Sequence, residues 1–205
     1  MRSIDYFICL LMSVVMIVGG YQFYFLAQRR HLGHTRQFNS PLDNLIPFWP
    51  SWVWIYSGLY YPVILALVFT MQSYTMFAHT VFSFLVLLGM QIIVFFFFPV
   101  RVPAEWRSYD CHTSVSHRLL AFVQSYDSLS NSIPSMHVSM STLTAIHLYG
   151  NLYPALGSYD LLVFAFPAMI AFSAVFTKQH YIADLASGAV FGWLSYRAAE
   201  FILVA

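Results

Sequence analysis

Phe176-Thr177-Lys178-Gln179-His180-Tyr181-Ile182-Ala183-Asp184-Leu185-Ala186-Ser187-Gly188 places a cation, an imidazole and a carboxylate at the mouth of an apolar segment. His180 and Asp184 are four apart, so on a helix they share one face. An ionisable pair at the end of a membrane-length apolar run is costly to place, and such groups mark functional sites by default. Taken alone, the pair suits a simple helix-end brace equally well. A second histidine upstream, in Ile133-Pro134-Ser135-Met136-His137, tips the reading towards a site.

The surroundings of that stretch decide the fold class. The chain has 205 residues, of which 60% are hydrophobic and 8% charged, with a mean hydropathy of +0.68. A soluble domain carries about a quarter charged residues. The composition therefore predicts an all-α polytopic membrane protein, one bundle over residues 1–205 rather than two domains. The formal net charge of +1 names no partner. No basic patch is visible, which excludes a nucleic-acid binder. Cys9 lies in an apolar run and Cys111 in a polar loop, so no disulfide is expected. Two cysteines are too few for a cysteine-built zinc site, and any metal would have to be held by His and Asp.

Apolar runs predict six spans, near Ile4–Leu26, Trp52–Thr70, Phe77–Phe98, Met136–Tyr153, Leu161–Phe176 and Ile182–Leu203. The first follows only Arg2 and lacks an A-x-A-like end, so it reads as a retained span. A basic loop with Arg29, Arg30, His31, His34, Arg36 and Asn39 follows it. Trp52, Trp54, Tyr56, Tyr60 and Tyr61 open the second span and read as an interfacial belt or as lipid-facing packing. Gly150 and Pro154 interrupt the end of the fourth. Within the long polar loop 100–135, residues Ser116 to Tyr126 alternate so as to form a short amphipathic helix on the membrane surface. With six spans, the loop after span three, the start of span four and the loop after span five share one side. Arg101, His137, Lys178, His180 and Asp184 then gather at one face.

Two imidazoles, a carboxylate and two cations suit phosphoryl transfer. A neutral imidazole is a good nucleophile at phosphorus, and a carboxylate on its other N–H fixes the tautomer. The second imidazole can protonate the leaving alkoxide. Arg and Lys offset charge on the phosphoryl oxygens. Ser135 is placed as an N-cap, whether for capping alone or with the helix amides turned to an anion. His31 and His34 read as surface residues, His112 and His117 as loop residues near the site, and His147 as a packing residue.

Pro134-Ser135-x-His137 with His180-x-x-x-Asp184 resembles the type 2 phosphatidic acid phosphatase superfamily. Ser173-x-x-x-Thr177-Lys178-Gln179-His180-Tyr181-x-x-Asp184 is more similar to its inositol phosphorylceramide synthase-like and sphingomyelin synthase-like branch. The resemblance implies His180 as a nucleophile that forms a phosphohistidine, Asp184 as the residue that orients it, His137 as the leaving-group acid and Ser135 in the phosphate pocket. The family's first motif ends in Arg-Pro with a Lys seven residues before the Arg. Here Pro99-Val100-Arg101-Val102-Pro103 is the nearest match, and Val94 stands where the Lys would be. Ser173-Ala174 stands where the family often has Ser-Arg. Arg101 and Lys178 are the expected replacements for the two missing cations, with Arg118 and Arg107 in reserve. Those departures fit phosphodiester handling better than simple monoester hydrolysis.

The expectation is an integral-membrane lipid phosphatase or phosphotransferase that needs no metal or organic cofactor. Its partners would be a lipid phosphate and the bilayer, with no nucleic acid and with room for a homo-oligomer. The rivals are a metal-dependent membrane hydrolase with His137, His180 and Asp184 as ligands, and a non-enzymatic lipid transporter. Sidedness divides the arguments. Arg29, Arg30, Arg36, Arg101, Arg107, Arg118 and Lys178 lie on the site side and Arg2 and Arg197 opposite, which by the positive-inside rule puts the site in the cytoplasm. The resemblance implies an external or lumenal site, and that reading is adopted. An impermeant thiol reagent should then label a single cysteine at position 34 from outside, and labelling of a single cysteine at position 205 alone would contradict it.

Overall fold

The computed structural model describes residues 1–204 apart from 31, 39, 128, 130, 154 and 156, and the side chains of 158 and 204 are likewise left aside. His31, Asn39, Pro154 and Ala205, which entered the sequence reading, lie outside the described residues. Eight α-helices follow one another among the described residues: α1 Ser3–Arg29, α2 Pro41–Leu45, α3 Tyr60–Ala66, α4 Tyr74–Phe97, α5 Val115–Ser125, α6 Met136–Leu152, α7 Ala165–Phe176 and α8 Ile182–Val204. A 3₁₀ turn and a π-helical turn, Trp54–Leu59, lead into α3.

Local chemistry sets the helix starts. The Arg2 N–H donates to Asp5 Oδ2 at 2.7 Å, and Ser73, Ser114 and Ser135 accept backbone N–H bonds at the starts of α4, α5 and α6, which satisfies donors that a helix leaves unpaired. The Tyr74 hydroxyl also donates to Asp5 Oδ1 at 2.9 Å, tying the start of α1 to the start of α4. At the other end the Leu32 N–H donates to the Phe96 carbonyl at 2.8 Å. α1 and α4 therefore run parallel. α1 exposes Phe7, Leu11, Val15, Val18 and Phe23, an apolar surface suited to lipid.

Four segments are long and apolar enough to cross a membrane: Ser3–Arg29, Pro50–Thr70, Tyr74–Phe97 and Tyr159–Phe176. The protein is an all-α membrane protein. The other two expected spans are helices, α6 and α8, but neither is among those four. α6 has 17 residues, and α8 carries Asp184, Arg197 and Glu200. α6 buries Ser139, Ser141 and Thr144, whose hydroxyls donate to carbonyls of their own helix, to Ser135 and Met136, Val138 and Met140 respectively. Such internal bonds let a polar helix sit inside a bundle.

Gly188-x-x-x-Gly192 on α8 receives the backbone of α6. A Cβ at Gly188 would fall 2.8 Å from the Ser135 carbonyl, and one at Gly192 2.5 Å from the Ser139 carbonyl. Small residues spaced by four are how helices approach closely in lipid. The loop between α4 and α6 then folds over the start of α8. The Ser132 N–H donates to the Val100 carbonyl at 3.0 Å, and Val100, Val102 and Tyr181 form one buried cluster.

Overpacking a tight contact costs about 1–3 kcal/mol. Gly192→Leu should lower the thermal unfolding temperature in detergent accordingly. Gly89→Ala, where an added Cβ meets nothing within 4 Å, should leave it unchanged or raise it.

Candidate active site

The turn between α7 and α8 places His180. Lys178 sits at φ 55°, and the Gln179 and His180 N–H groups both donate to the Ala174 carbonyl, at 2.9 and 3.3 Å. Helices commonly end on a left-handed residue at this position, usually glycine. Here the lysine is held by its own side chain. Its Nζ donates to the Asp43 carbonyl at 2.7 Å and lies 5.0 Å from the Trp106 ring centre. Burial pushes the Lys178 ammonium below its ordinary pKa, and the Asp43 charge opposes that shift. Asp43 Oδ1 accepts the Ile182 N–H at 2.8 Å, so α2 also braces the start of α8.

His180 Nδ1 lies 3.0 Å from the Ser132 carbonyl oxygen and 3.1 Å from Asp184 Oδ2. Both partners are acceptors, so Nδ1 carries a proton, and in the neutral ring that leaves the lone pair on Nε2. Asp184 is fully buried. Its Oδ2 also accepts the Tyr181 N–H at 2.9 Å, while Oδ1 has no partner. One carboxylate thus caps α8 and orients the ring. The helix-end brace and the catalytic reading are the same contact here.

His137 enters from the first turn of α6. Its ring stacks on Tyr56 at 4.2 Å between centres, its Nδ1 lies 2.9 Å from the Tyr56 hydroxyl, and Tyr60 lies 4.6 Å away. The His137 and His180 ring centres are 6.3 Å apart, close enough for both rings to touch one phosphoryl group. Both line a cavity of about 390 Å³ together with Tyr24, Asp127, Asn131, Ser132 and Gln179. That volume lies within the range of small-molecule pockets.

Of the residues expected from sequence, His180, Asp184, His137 and Ser135 come together. Ser135 is fully buried, its Oγ accepts the Val138 N–H, and its own N–H donates to the Asp184 carbonyl at 3.2 Å. The cations do not join them. Arg101 and Arg118 are exposed, Lys178 is turned to Asp43, and none of the three lines the cavity. Arg107 lies behind the wall. Its NH1 donates to the Asp127 and Gln124 carbonyls at 2.7 and 3.2 Å, and its NH2 to Asp127 Oδ2 at 3.0 Å and Gln179 Oε1 at 3.3 Å. His112 and His34 are exposed, His117 pairs with Ser114 Oγ, and His147 with Ser83 Oγ at 2.7 Å.

Tyr56 and Tyr60 overturn an expectation. They are 4% and 1% exposed, not part of a lipid-facing belt. The π-helical turn Trp54–Leu59 changes the residue-to-face register there, a device common at functional sites, and carries the Tyr56 hydroxyl inward to His137. Their spacing of four was a visible signal for a shared inward face. Asp127, Asn131 and Gln179 were also passed over. As to metal, the His/Cys/Asp/Glu set whose ligand atoms lie within 4.8 Å of one another, among the described residues, is Asp110, Cys111 and His112 on an outer turn. His137, His180 and Asp184 do not form such a set.

The family model for the PAP2 superfamily matches residues 22–198, which contain every residue of this site. No curated protein and no solved structure matches the chain.

Asp127→Ala would leave the Arg107 guanidinium, 15% exposed at its side chain, without its carboxylate. Leaving a buried donor without its partner costs about 1–3 kcal/mol and more when it is charged, and Arg107, partly exposed and with its carbonyl bonds kept, should fall near that range. Thermal unfolding should show that loss, and Arg107→Met in the same chain should recover part of it.

Proposed function

The chain belongs to the PAP2 superfamily, and from that membership we propose that it is an integral-membrane lipid phosphatase or phosphotransferase working through a phosphohistidine on His180. The observation that carries this is the His180 ring: Nδ1 faces two acceptors, so the lone pair of Nε2 is the group offered to a phosphoryl centre at the cavity it shares with His137. In this reading α6 and α8 complete six crossings, α6 enclosed by protein and α8 with Val190, Trp193, Phe201 and Ile202 turned outward to lipid, and the site faces the external or lumenal side.

In the first step the Nε2 lone pair attacks phosphorus. A P–N bond forms as the P–O bond to the lipid alcohol breaks, and the leaving oxygen takes the electron pair together with a proton from His137. For this step His137 must hold a proton on each ring nitrogen, and it gives up the one on Nε2. The Tyr56 hydroxyl at Nδ1 leaves Nε2–H to donate. Asp184 and the Ser132 carbonyl stabilise the positive charge that develops on the His180 ring. In the second step water or another alcohol attacks phosphorus, gives its proton to His137, and the P–N electron pair returns to Nε2. The chemistry uses the protein's own groups. Vanadate, a mimic of five-coordinate phosphorus, should inhibit, and chelators should not. Activity lost to a chelator and restored by zinc would favour a metal-dependent hydrolase.

Phosphate label should appear on the wild-type protein after an acid-free quench and be absent from His180→Ala. His137→Ala should slow release of a lipid alkoxide by roughly 10²–10⁴-fold and release of nitrophenolate far less. Label kept in His180→Ala but lost in His137→Ala would reverse the two roles.

A further inference from the structure

The two imidazoles of the site are held by different chemistry. His180 has a carboxylate and a carbonyl at Nδ1. Among the described residues its pair with Asp184 is the one ion pair made by a histidine, so His137 has no carboxylate at its ring. In the phosphotransfer reading His137 must nonetheless carry a proton on each nitrogen before the lipid alcohol can leave. A cation in a dry site is costly unless something offsets its charge.

What meets the His137 ring is a pair of phenols. Tyr56 stacks on it with centres 4.2 Å apart and 29° between the planes, and Tyr60 lies against it at 4.6 Å and 43°. Both distances fall within the reach of about 6 Å over which a ring face attracts a cation. The Tyr56 hydroxyl, 2.9 Å from Nδ1, accepts from a protonated nitrogen as well as it donates to a bare one. The Tyr60 hydroxyl has no partner, so the ring is what this residue brings to His137. Tyr60 is itself fixed in place. It packs among Ile64, Phe166 and Ile170 and meets Tyr61 edge-on at 4.9 Å. The Tyr61 hydroxyl is tied to that of Tyr21 on α1 at 2.6 Å. The other titratable groups in the cavity wall are Tyr21, Tyr24, Tyr61, Tyr126, Asp127 and His180. Asp127 is already paired with Arg107 at 3.0 Å.

We propose that Tyr56 and Tyr60 form an aromatic clamp that holds the positive charge of protonated His137 in place of a carboxylate. The proposal rests on the phosphotransfer reading above and adds two positioning residues to it. A ring face offsets an imidazolium without competing for its proton, so the proton on Nε2 stays free to leave. The two environments separate the roles: a carboxylate-backed imidazole attacks, and an imidazolium backed by ring faces donates.

Purified protein in mixed micelles is assayed across pH with phosphatidic acid and, in parallel, phosphatidylglycerol, whose alkoxides leave poorly, and with nitrophenyl phosphate, whose phenolate leaves well. Tyr60→Leu removes one ring face. His137 then holds its proton less well, so the alkaline limb of kcat for the lipid moves to lower pH. A desolvated cation–π contact is worth roughly tenfold in an equilibrium, so the limb should move by about one pH unit and lipid turnover on that limb should fall about tenfold. Release of nitrophenolate should fall far less. Tyr60→Phe restores the ring face and should recover most of the loss in limb and rate. Tyr60→Met, longer and more adaptable than Leu, should share the Tyr60→Leu shift and keeps the test open if that variant does not fold. An unmoved limb, an equal loss for lipid and nitrophenyl ester, or Tyr60→Phe as impaired as Tyr60→Leu overturns the clamp and leaves the histidine chemistry standing. Turnover of neither lipid by the wild type, or turnover surviving in His180→Ala, overturns the underlying reading and the clamp with it.

Discussion

A fully buried carboxylate at the head of a membrane helix must be bonded or it will not stay charged, and the site is arranged around meeting that demand for Asp184. Its Oδ2 takes the Tyr181 N–H and the His180 Nδ1–H. Its own carbonyl takes the N–H of Ser135, the cap of α6. That last bond needs α6 and α8 at backbone distance, which Gly188 and Gly192 permit. His137, two residues past Ser135, is thereby fixed relative to His180. The helix contact, the cap and the imidazole tautomer are one connected arrangement.

The loop between α4 and α6 closes the other side. Ser132 gives its carbonyl to His180 and its N–H to Val100, while Tyr181 packs on Val100 and Val102 and donates its hydroxyl to the Arg101 carbonyl. Arg101 therefore serves the fold through its backbone, with its guanidinium outside. The burial of Lys178 follows the same pattern. A cation placed near a site by spacing can be drawn away by a better local partner, here the Asp43 carbonyl and the Trp106 ring.

These examples mark what was legible in the sequence. His180, Asp184, His137 and Ser135 were readable because helical spacing and capping act over a few residues. α5 was readable for the same reason, within one residue of its bounds. The bounds of α6 and α8 were readable too, to within one residue, but whether those two helices cross was not, because hydropathy measures contact with lipid. α6 is enclosed by protein and satisfies its hydroxyls internally, and the charged residues of α8 dilute its apolar character. Tyr56 shares with Tyr60 a spacing of four that signals a common face, but which way that face turns was not legible, because Tyr56 sits within a π-helical turn that departs from the 3.6-residue period. Gln179 stood in the organising stretch itself. Its place in the cavity wall is held by an arginine 72 positions away in sequence, a long-range contact beyond the reach of local pattern.

The account turns on which nitrogen of His180 bears the proton. Nitrogen NMR of histidine-labelled protein in detergent, assigned by comparison with His180→Ala, reads this directly. The account predicts a neutral ring protonated at Nδ1, with a bare Nε2 whose signal moves when vanadate is added. A ring protonated at Nε2 with Nδ1 bare, unmoved by vanadate, would contradict it.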